Sequence, residues 1–134
     1  MASYRIYSFE RLDVYKDIID LRIRIQQVIS QFPSEEKYDS VRQIKRATDS
    51  IGANGAEGSG RSSNIDQSHF TNMSYASALE VIYHLTIAHQ LGYVKKDDYI
   101  NLRKDIDKIS NKLNALYKYQ VNNTKTLKSK ERKG

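Results

Sequence analysis

The sequence predicts an all-α protein, an antiparallel up-down-up-down four-helix bundle that assembles into a closed homo-oligomer. Apolar residues recur every three or four positions over most of the 134-residue chain, as on the buried faces of helices. The chain has one proline, and four of its six glycines lie in one short stretch, so few breaks interrupt the helices. Four long helices joined by short connections are expected to run antiparallel to their neighbours.

The first predicted helix follows an extended N-terminal lead at residues 1–8 and opens a bundle that is expected to span residues 9–121. Ser8 is its expected N-cap, and Pro33 stops it, because the residue before a proline avoids helical geometry. Its apolar residues alternate in spacing between four and three, which predicts one buried seam. That seam consists of Val14, Ile18, Leu21, Ile25, Val28 and Phe32.

The second predicted helix begins after Pro33, with Ser34 as its N-cap and two glutamates in its first turn. Its inward stripe is expected to consist of Tyr38, Val41, Ile44, Thr48, Ile51 and Gly55. Small residues replace large ones towards its end. Because interior glycines weaken a helix, this change predicts the close approach of a neighbouring helix.

The third predicted helix runs from about Asn64 to Leu91, and Gly92 ends it. One face is expected to comprise Phe70, Met73, Ser77, Val81, Leu85, Ala88 and Leu91. Further apolar residues occupy other faces, and Glu80 is the one charged residue between positions 76 and 88. A helix that is apolar nearly all round is buried on more than one side, which predicts an oligomer.

The fourth predicted helix has the most regular pattern and extends to about Val121. Its seam consists of Tyr99, Leu102, Ile106, Ile109, Leu113 and Leu116. Lys104, Lys108 and Lys112 are expected on its outer side. A basic, disordered tail at residues 122–134 is expected to follow, because its composition offers almost nothing to bury.

A glycine-rich stretch at Ser50–Ser63 separates the two halves of the chain. Its residues Gly55–Ser62 partly match a phosphate-binding P-loop, but Arg61 replaces the lysine and the preceding residues favour a helix over a strand. Gly58 and Gly60 are instead predicted to be left-handed residues that end the second helix. Ser63 would then cap the third helix, with Asp66 completing a capping box.

The polar residues of this stretch allow two interpretations. The residues Arg46, Ser50, Asn54, Glu57 and Arg61 are spaced as one helical stripe. In the first interpretation, Glu57 binds Arg61 and Asn54 binds backbone groups, which pins a structural turn. In the second, the stripe contacts a ligand or a partner. The motif residues common to both are Ser50, Asn54, Glu57, Gly58, Gly60 and Arg61.

Catalytic, metal and cofactor chemistry has little support in the sequence. The chain has no cysteine, which excludes disulfides and thiolate sites and fits a reducing cytoplasm. Glu80 and His84 lie four apart, but no second such pair completes a di-metal pattern, so no metal or cofactor is expected. No Ser–His–acid arrangement is evident, and no apolar run reaches the ~18 residues of a membrane span. We therefore predict a cytoplasmic, non-enzymatic protein without a membrane partner.

The net charge of +6 is concentrated near the C-terminus, where residues 95–134 contain twelve basic and five acidic residues. Basic faces beside tyrosines such as Tyr117 and Tyr119 are compatible with a nucleic-acid backbone and stacked bases. Lysine stripes are more often simply solvated faces. The candidate nucleic-acid-binding residues are Arg42, Lys45, Arg46, Lys104, Lys108, Lys112 and Lys118.

Several short motifs accompany the glycine-rich stretch: FERLDVYK at Phe9–Lys16, Phe32-Pro33, QIKRA at Gln43–Ala47 and LGY at Leu91–Tyr93. With them the chain resembles, over about residues 9–121, the bacterial four-helix-bundle proteins encoded in intervening sequences of 23S ribosomal RNA genes. That family includes the accessory variability proteins of diversity-generating retroelements. Gly55 stands where the family usually has isoleucine, and Lys45 where arginine is common.

The resemblance implies a homo-oligomer, typically a pentamer, without catalytic activity. In the retroelement branch of the family, the barrel binds nucleic acid and a reverse transcriptase. RNA or DNA is therefore the expected partner of this chain. The alternative is a helical scaffold whose partner is a protein such as a reverse transcriptase.

Overall fold

The computed structural model describes residues 3–123, which form four α-helices and two short 3₁₀ turns, with no strand in this range. The helices are α1 (Asp13–Ile29), α2 (Ser40–Ser59), α3 (Asn64–Gln90) and α4 (Lys96–Val121). The 3₁₀ turns at Ser8–Arg11 and Ser34–Glu36 precede α1 and α2. The predicted tail at residues 124–134 lies outside the described residues.

The helices pack in a cycle, in which α1 contacts α2 and α4, and α3 also contacts α2 and α4. Helices α1 and α3 are therefore diagonal to each other, as are α2 and α4. Two ion pairs join α1 to α4: Asp17 pairs with Lys112, and Arg24 pairs with Asp105. The residue later in α1 therefore contacts the residue earlier in α4. The arrangement is a four-helix bundle, as the sequence predicts.

Aliphatic side chains from all four helices fill the core. The whole predicted seam of α1 is buried, and so are Leu102, Ile106, Ile109 and Leu113 of α4. Tyr99 and Leu116, the ends of the α4 seam, are half-buried. The regular alternation of four and three thus identified the faces of α1 and α4 that lie in the core.

The starts of α1 and α2 differ from the prediction. Ser8 begins a 3₁₀ turn, in which the backbone N–H of Tyr7 donates to the Glu10 carboxylate at 2.7 Å, and α1 begins only at Asp13. Ser34 likewise begins a 3₁₀ turn, and α2 starts at Ser40. Tyr38 consequently precedes the helix and is 79% exposed, so its predicted place in the inward stripe is wrong.

The end of α3 is followed by a left-handed glycine, Gly92, the residue that the sequence predicts to end this helix. Its φ is +83°, and it is the one residue with positive φ in the described range. The N–H of Gly92 donates to the His89 carbonyl at 3.0 Å, and that of Tyr93 donates to the Ala88 carbonyl at 2.9 Å. These two bonds form a Schellman motif, which turns the chain towards α4.

Candidate nucleic-acid interface and glycine-rich motif

The glycine-rich motif is largely helical. Helix α2 continues to Ser59, and Gly60 has φ −79°, so neither Gly58 nor Gly60 is the left-handed stop residue that the sequence predicts. A helix rather than a strand precedes the Gly55–Ser62 segment, which does not match the context of a P-loop. The connection to α3 comprises only residues 60–63, and the N–H of Asp66 donates to the Ser63 hydroxyl at 3.2 Å.

Close packing between α2 and α3 accounts for Gly58. A Cβ at this position would lie 2.6 Å from the Cβ of Phe70, which is closer than real side chains approach. Nearby, the Ser74 hydroxyl of α3 donates to the Ile51 carbonyl of α2 at 2.8 Å. Small residues therefore let the two helix backbones approach, and a hydrogen bond between the helices fixes their relative position.

The polar residues of the motif contact one another and the backbone. The guanidinium of Arg61 lies 3.6 Å from the Glu57 carboxylate and 4.6 Å from the centre of the Phe70 ring. The side-chain amide of Asn54 donates to the Ser50 carbonyl at 2.9 Å. Both partners in the Glu57–Arg61 pair are exposed, so the pair stabilises the turn only weakly. These contacts hold the end of α2 against the start of α3.

Buried polar side chains near the motif could not be recognised from hydropathy. The inward face of the first half of α3 carries Asn64, Gln67, Ser68, Thr71 and Ser74. Several of them bond to nearby main-chain atoms, as Ser68 donates to the Ile65 carbonyl and Gln67 to the Arg61 carbonyl, whereas Oδ1 of Asn64 has no partner among the described residues. The sequence signal that could have indicated their burial is their spacing of three or four residues, which places them on one face of the helix.

The outer face of α3, by contrast, is apolar. We define it by exposed residues that fall within about a third of the helix circumference. They are Ile65, Met73, Leu79, Tyr83, Ile87 and the adjoining Leu91, all between 39% and 62% exposed. Met73 and Leu91, predicted to face inwards, thus lie outside. Glu80 is on the same side, where its carboxylate lies 3.4 Å from His84.

The candidate cations on α2 and α4 do not form a single surface. Arg42 and Arg46 are exposed on α2, and Lys45 beside them is half-buried. Lys104 and Lys118 are exposed on α4. Because α2 and α4 are diagonal in the bundle, the two groups lie on opposite sides of it. Among the described residues, Arg42, Arg46, Lys104 and Lys118 have no carboxylate partner within 4 Å.

Two of the α4 lysines instead bind α1. Lys112 donates to the Asp17 carboxylate at 2.6 Å, and Lys108 lies 3.4 Å from its other oxygen. The hydrogen bond from Lys112 lowers the pKa of Asp17, burial partly opposes this, and the charges of both lysines lower it further. The predicted outward position is therefore right for Lys104 and wrong for Lys112. Residues four apart on a helix do not stay on one face, so the line from Lys104 to Lys112 rotates from solvent towards α1.

A polar cluster missed by the sequence reading lies near the α3–α4 connection. The His89 and Tyr99 rings stack with their centres 4.5 Å apart, and the Tyr99 hydroxyl lies 2.8 Å from both Thr86 and Arg103. Burial raises the pKa of Tyr99, but the hydrogen bonds with Thr86 and Arg103 outweigh burial and lower it overall. The cluster ties the two helices together at this end of the bundle.

Within residues 3–123, no three histidine, aspartate or glutamate side chains are grouped as metal ligands. No helix in this range has the length and apolar character to cross a membrane.

The glycine-rich motif and the helices around it lie inside the region matched by a known family. The model of the 23S rRNA-intervening sequence proteins matches residues 10–115. The chain belongs to the 23S rRNA-intervening sequence protein family. The match includes the candidate cations from Arg42 to Lys112 and ends before Lys118.

Among solved structures, this member of the 23S rRNA-intervening sequence protein family is similar to a protein of unknown function from the S23 ribosomal protein family of Bacteroides thetaiotaomicron VPI-5482. The two chains share 25% sequence identity with a TM-score of 0.72. The similarity covers 78% of this chain and 98% of the other. No curated protein matches the chain.

Proposed function

We propose that this protein is a non-enzymatic homo-oligomer of antiparallel up-down-up-down bundles, a pentamer in the bacterial cytoplasm, that binds RNA or DNA electrostatically. The observation that carries the binding role is the set of exposed cations without a carboxylate partner among the described residues. Among the candidate residues named from the sequence, they are Arg42, Arg46, Lys104 and Lys118. Their charges are available to phosphates, whereas Lys108 and Lys112 share the single negative charge of Asp17.

The outer face of α3 supports assembly. Ile19 and Ile23 of α1 are 42% and 55% exposed, and α1 lies diagonally across the bundle from α3. Two different apolar surfaces on opposite sides of one subunit suit a head-to-tail contact, in which α3 of one copy packs on α1 of the next. Such contacts close into a ring when the rotation between copies permits.

Assembly would multiply weak phosphate contacts. Each subunit presents two small cation groups on its bundle, and residues 124–134 add five basic residues and one acidic residue. A ring repeats these charges around its circumference, so that several contacts form on one nucleic-acid chain. We expect micromolar, weakly sequence-selective binding with a strong dependence on salt.

Fluorescence anisotropy with a labelled single-stranded RNA and a duplex DNA of equal length tests this proposal. The Lys104→Ala, Lys118→Ala double variant should lower the log–log salt slope by about 0.7–0.9 for each lost contact, between about 50 and 200 mM salt. Lys108→Ala is the matched control on the same helix, because Lys108, unlike Lys104 and Lys118, lies within 4 Å of a carboxylate, that of Asp17. The Arg42→Ala, Arg46→Ala double variant tests the opposite side.

Removal of residues 124–134 separates the tail from the bundle. If truncation alone abolishes binding, the cations of the bundle are only a solvated surface. If the complete protein does not bind either probe at about 50 mM salt, where phosphate contacts are strongest, the nucleic-acid role is wrong.

A protein scaffold is the second candidate, favoured by the nearly balanced charge of the bundle. Residues 3–123 contain 17 basic and 15 acidic residues. A reverse transcriptase is the partner that the family resemblance suggests for this role. Binding of such a partner by the complete protein, with no binding of the RNA and DNA probes, would select the scaffold over the nucleic-acid role.

A further inference from the structure

A partly enclosed cavity of about 230 Å³ lies where the start of α1, the glycines of α2, the start of α3 and the end of α4 meet. Phe9 and Leu12 line it on the N-terminal side, and Gly52 and Gly55 line it from α2. A Cβ at Gly55 would have Ser74 as its nearest neighbour, at 3.8 Å, so a side chain there would have room. The absence of a side chain at Gly55 leaves space open, whereas a Cβ at Gly52 would meet Ile18 of α1 at 3.3 Å.

The lining combines an apolar wall with one neutral polar corner. No charged side chain among the described residues lines the cavity. The corner consists of Gln67, Thr71 and Gln120, which are each about 95% buried. The Thr71 hydroxyl lies 2.7 Å from the side-chain Oε1 of Gln120 and 3.1 Å from the main-chain carbonyl oxygen of Gln67, so the three residues are close together.

Two polar atoms of this corner have no partner within residues 3–123. Gln120 uses its Oε1 with Thr71, which leaves its Nε2 donor unused. Gln67 uses its Nε2 to donate to the Arg61 carbonyl, which leaves its Oε1 acceptor unused. Neither atom is among the side-chain atoms that are sealed from solvent without a partner. An unused donor and an unused acceptor in one corner are complementary to a hydroxyl group, which can accept one hydrogen bond and donate another.

We propose that this cavity binds an uncharged, mainly apolar small molecule that carries a hydroxyl group. A cavity of about 150 Å³ holds benzene, so a molecule of about nine to twelve non-hydrogen atoms suits this larger one. A carboxylate would lose its hydration without gaining a cation, because the lining has none. The hydroxyl lies against Gln67 and Gln120, and the apolar part lies between α1 and the glycines of α2.

Isothermal titration calorimetry with 1-octanol, and with octanoate as the charged control, tests the proposal on the complete protein. We expect saturable binding of one 1-octanol per chain with a dissociation constant below about 1 mM, and at least tenfold weaker binding of octanoate. Absence of saturable 1-octanol binding up to its solubility limit, or equal affinity for octanoate, would overturn the proposal.

Two variants locate the binding. Gly55→Leu fills the cavity and should abolish 1-octanol binding, whereas Gly55→Ala is the control for helix propensity and should retain it. Gln120→Met keeps the side-chain length but removes the amide, and should weaken binding about tenfold. It also provides a test if Gly55→Leu does not fold. Unchanged binding by a folded Gly55→Leu variant, or by Gln120→Met, would contradict the assignment.

Deletion of residues 124–134 tests a competing occupant. Equal 1-octanol affinity with and without these residues is expected. If 1-octanol binds only after the deletion, the chain's own C-terminal residues occupy the cavity and the proposal is wrong.

Discussion

Gly58 shows how a single residue sets the distance between two helices. It lies within α2 in helical geometry, and the cause of its small size is the neighbouring helix, since an added Cβ would meet Phe70 at 2.6 Å. The sequence-based explanation, a left-handed residue at the helix end, was wrong for this position, whereas Gly92, predicted only to end the third helix, does have a positive φ. Local sequence around a glycine cannot distinguish a turn from a close approach, because both exclude a side chain.

We expect Gly58→Val to destabilise the protein by about 1–3 kcal/mol, because the valine overpacks the contact between α2 and α3. Ser59→Val, one residue along the same helix, should cost less than about 1 kcal/mol. Thermal or urea unfolding at matched protein concentration measures the difference. Equal stability of the two variants would show that α3 can move away from α2 without cost.

Small polar residues in the core limited what could be predicted at this scale. Thr71 and Ser74 are at least 95% buried, yet hydropathy alone places such residues outside, whereas the helical spacing correctly placed the buried Thr48 in the inward stripe of α2. They tolerate burial because their hydroxyls donate to main-chain carbonyls, as Thr48 does to Ile44 at 2.7 Å. Which carbonyl is within reach depends on the packing of α2 against α3, and one sequence does not contain that information.

At the scale of elements, charged pairs align α1 with α4. Asp17 of α1 pairs with Lys112 and Lys108 of α4. About two helical turns further along α1, Arg24 pairs with Asp105 of α4. The Asp17 side chain is 16% exposed, the least of any ion-pair partner in the described range, although Lys108 beside it is 61% exposed. These pairs fix the register between two helices whose apolar seams alone could slide by a turn.

Asp17→Asn should lower the free energy of unfolding at neutral pH by about 1 kcal/mol or less, the scale of a partly exposed ion pair. The pKa of Asp17 is lowered from its ordinary 3.8 in the folded protein. Its stabilising contribution is therefore complete above about pH 4 and is lost as the pH falls through the folded pKa. The difference between wild type and variant should shrink below about pH 4.

Urea unfolding from pH 7 down to pH 3 measures this effect, and Asp20→Asn provides the control. Asp20 lies on the same helix and is exposed, without a cation within 4 Å among the described residues. A pH-independent difference between wild type and Asp17→Asn would show that the lysine pairs do not stabilise the α1–α4 contact.

Element boundaries could be predicted where capping chemistry is decisive. The positions of Ser63 and Gly92 predicted the bounds of α3 to within one residue, because each has a specific role in a helix terminus. Ser8 and Ser34 misled the prediction, because the residues that follow them form 3₁₀ turns before the α-helices begin. A serine before acidic residues is compatible with both outcomes, and tertiary contacts decide between them.

The candidate interface was less predictable than the fold. The sequence identified the cations, but it did not show that two of them pair with Asp17 or that α2 and α4 lie diagonally. Both facts depend on which helices are neighbours. The sequence therefore predicts which cationic residues are candidates for phosphate contacts. The fold is needed to tell those that pair with a carboxylate from those that are free to contact a phosphate.

For the molecule as a whole, the unusual feature is the outer face of α3. This face exposes six large apolar residues. Helix α3, all of which lies in the described range, contains no lysine or arginine. A monomeric bundle normally places mostly charged and polar residues on such a face, and a concentration of exposed large apolar residues marks an interaction site. The expected oligomer follows from this surface, and its ring would bring the cation groups of several subunits onto one partner.

The mass of the protein in solution, measured by light scattering after gel filtration at micromolar concentration, tests this account most directly. We predict a discrete multiple of 15.5 kDa, with five copies as the expected number. The Leu79→Glu, Tyr83→Glu double variant should dissociate the oligomer while retaining its helical circular dichroism, because both side chains are exposed in the subunit. Tyr38→Glu, which changes an exposed tyrosine outside α3, should leave the mass unchanged. A wild-type mass of 15.5 kDa would contradict the account.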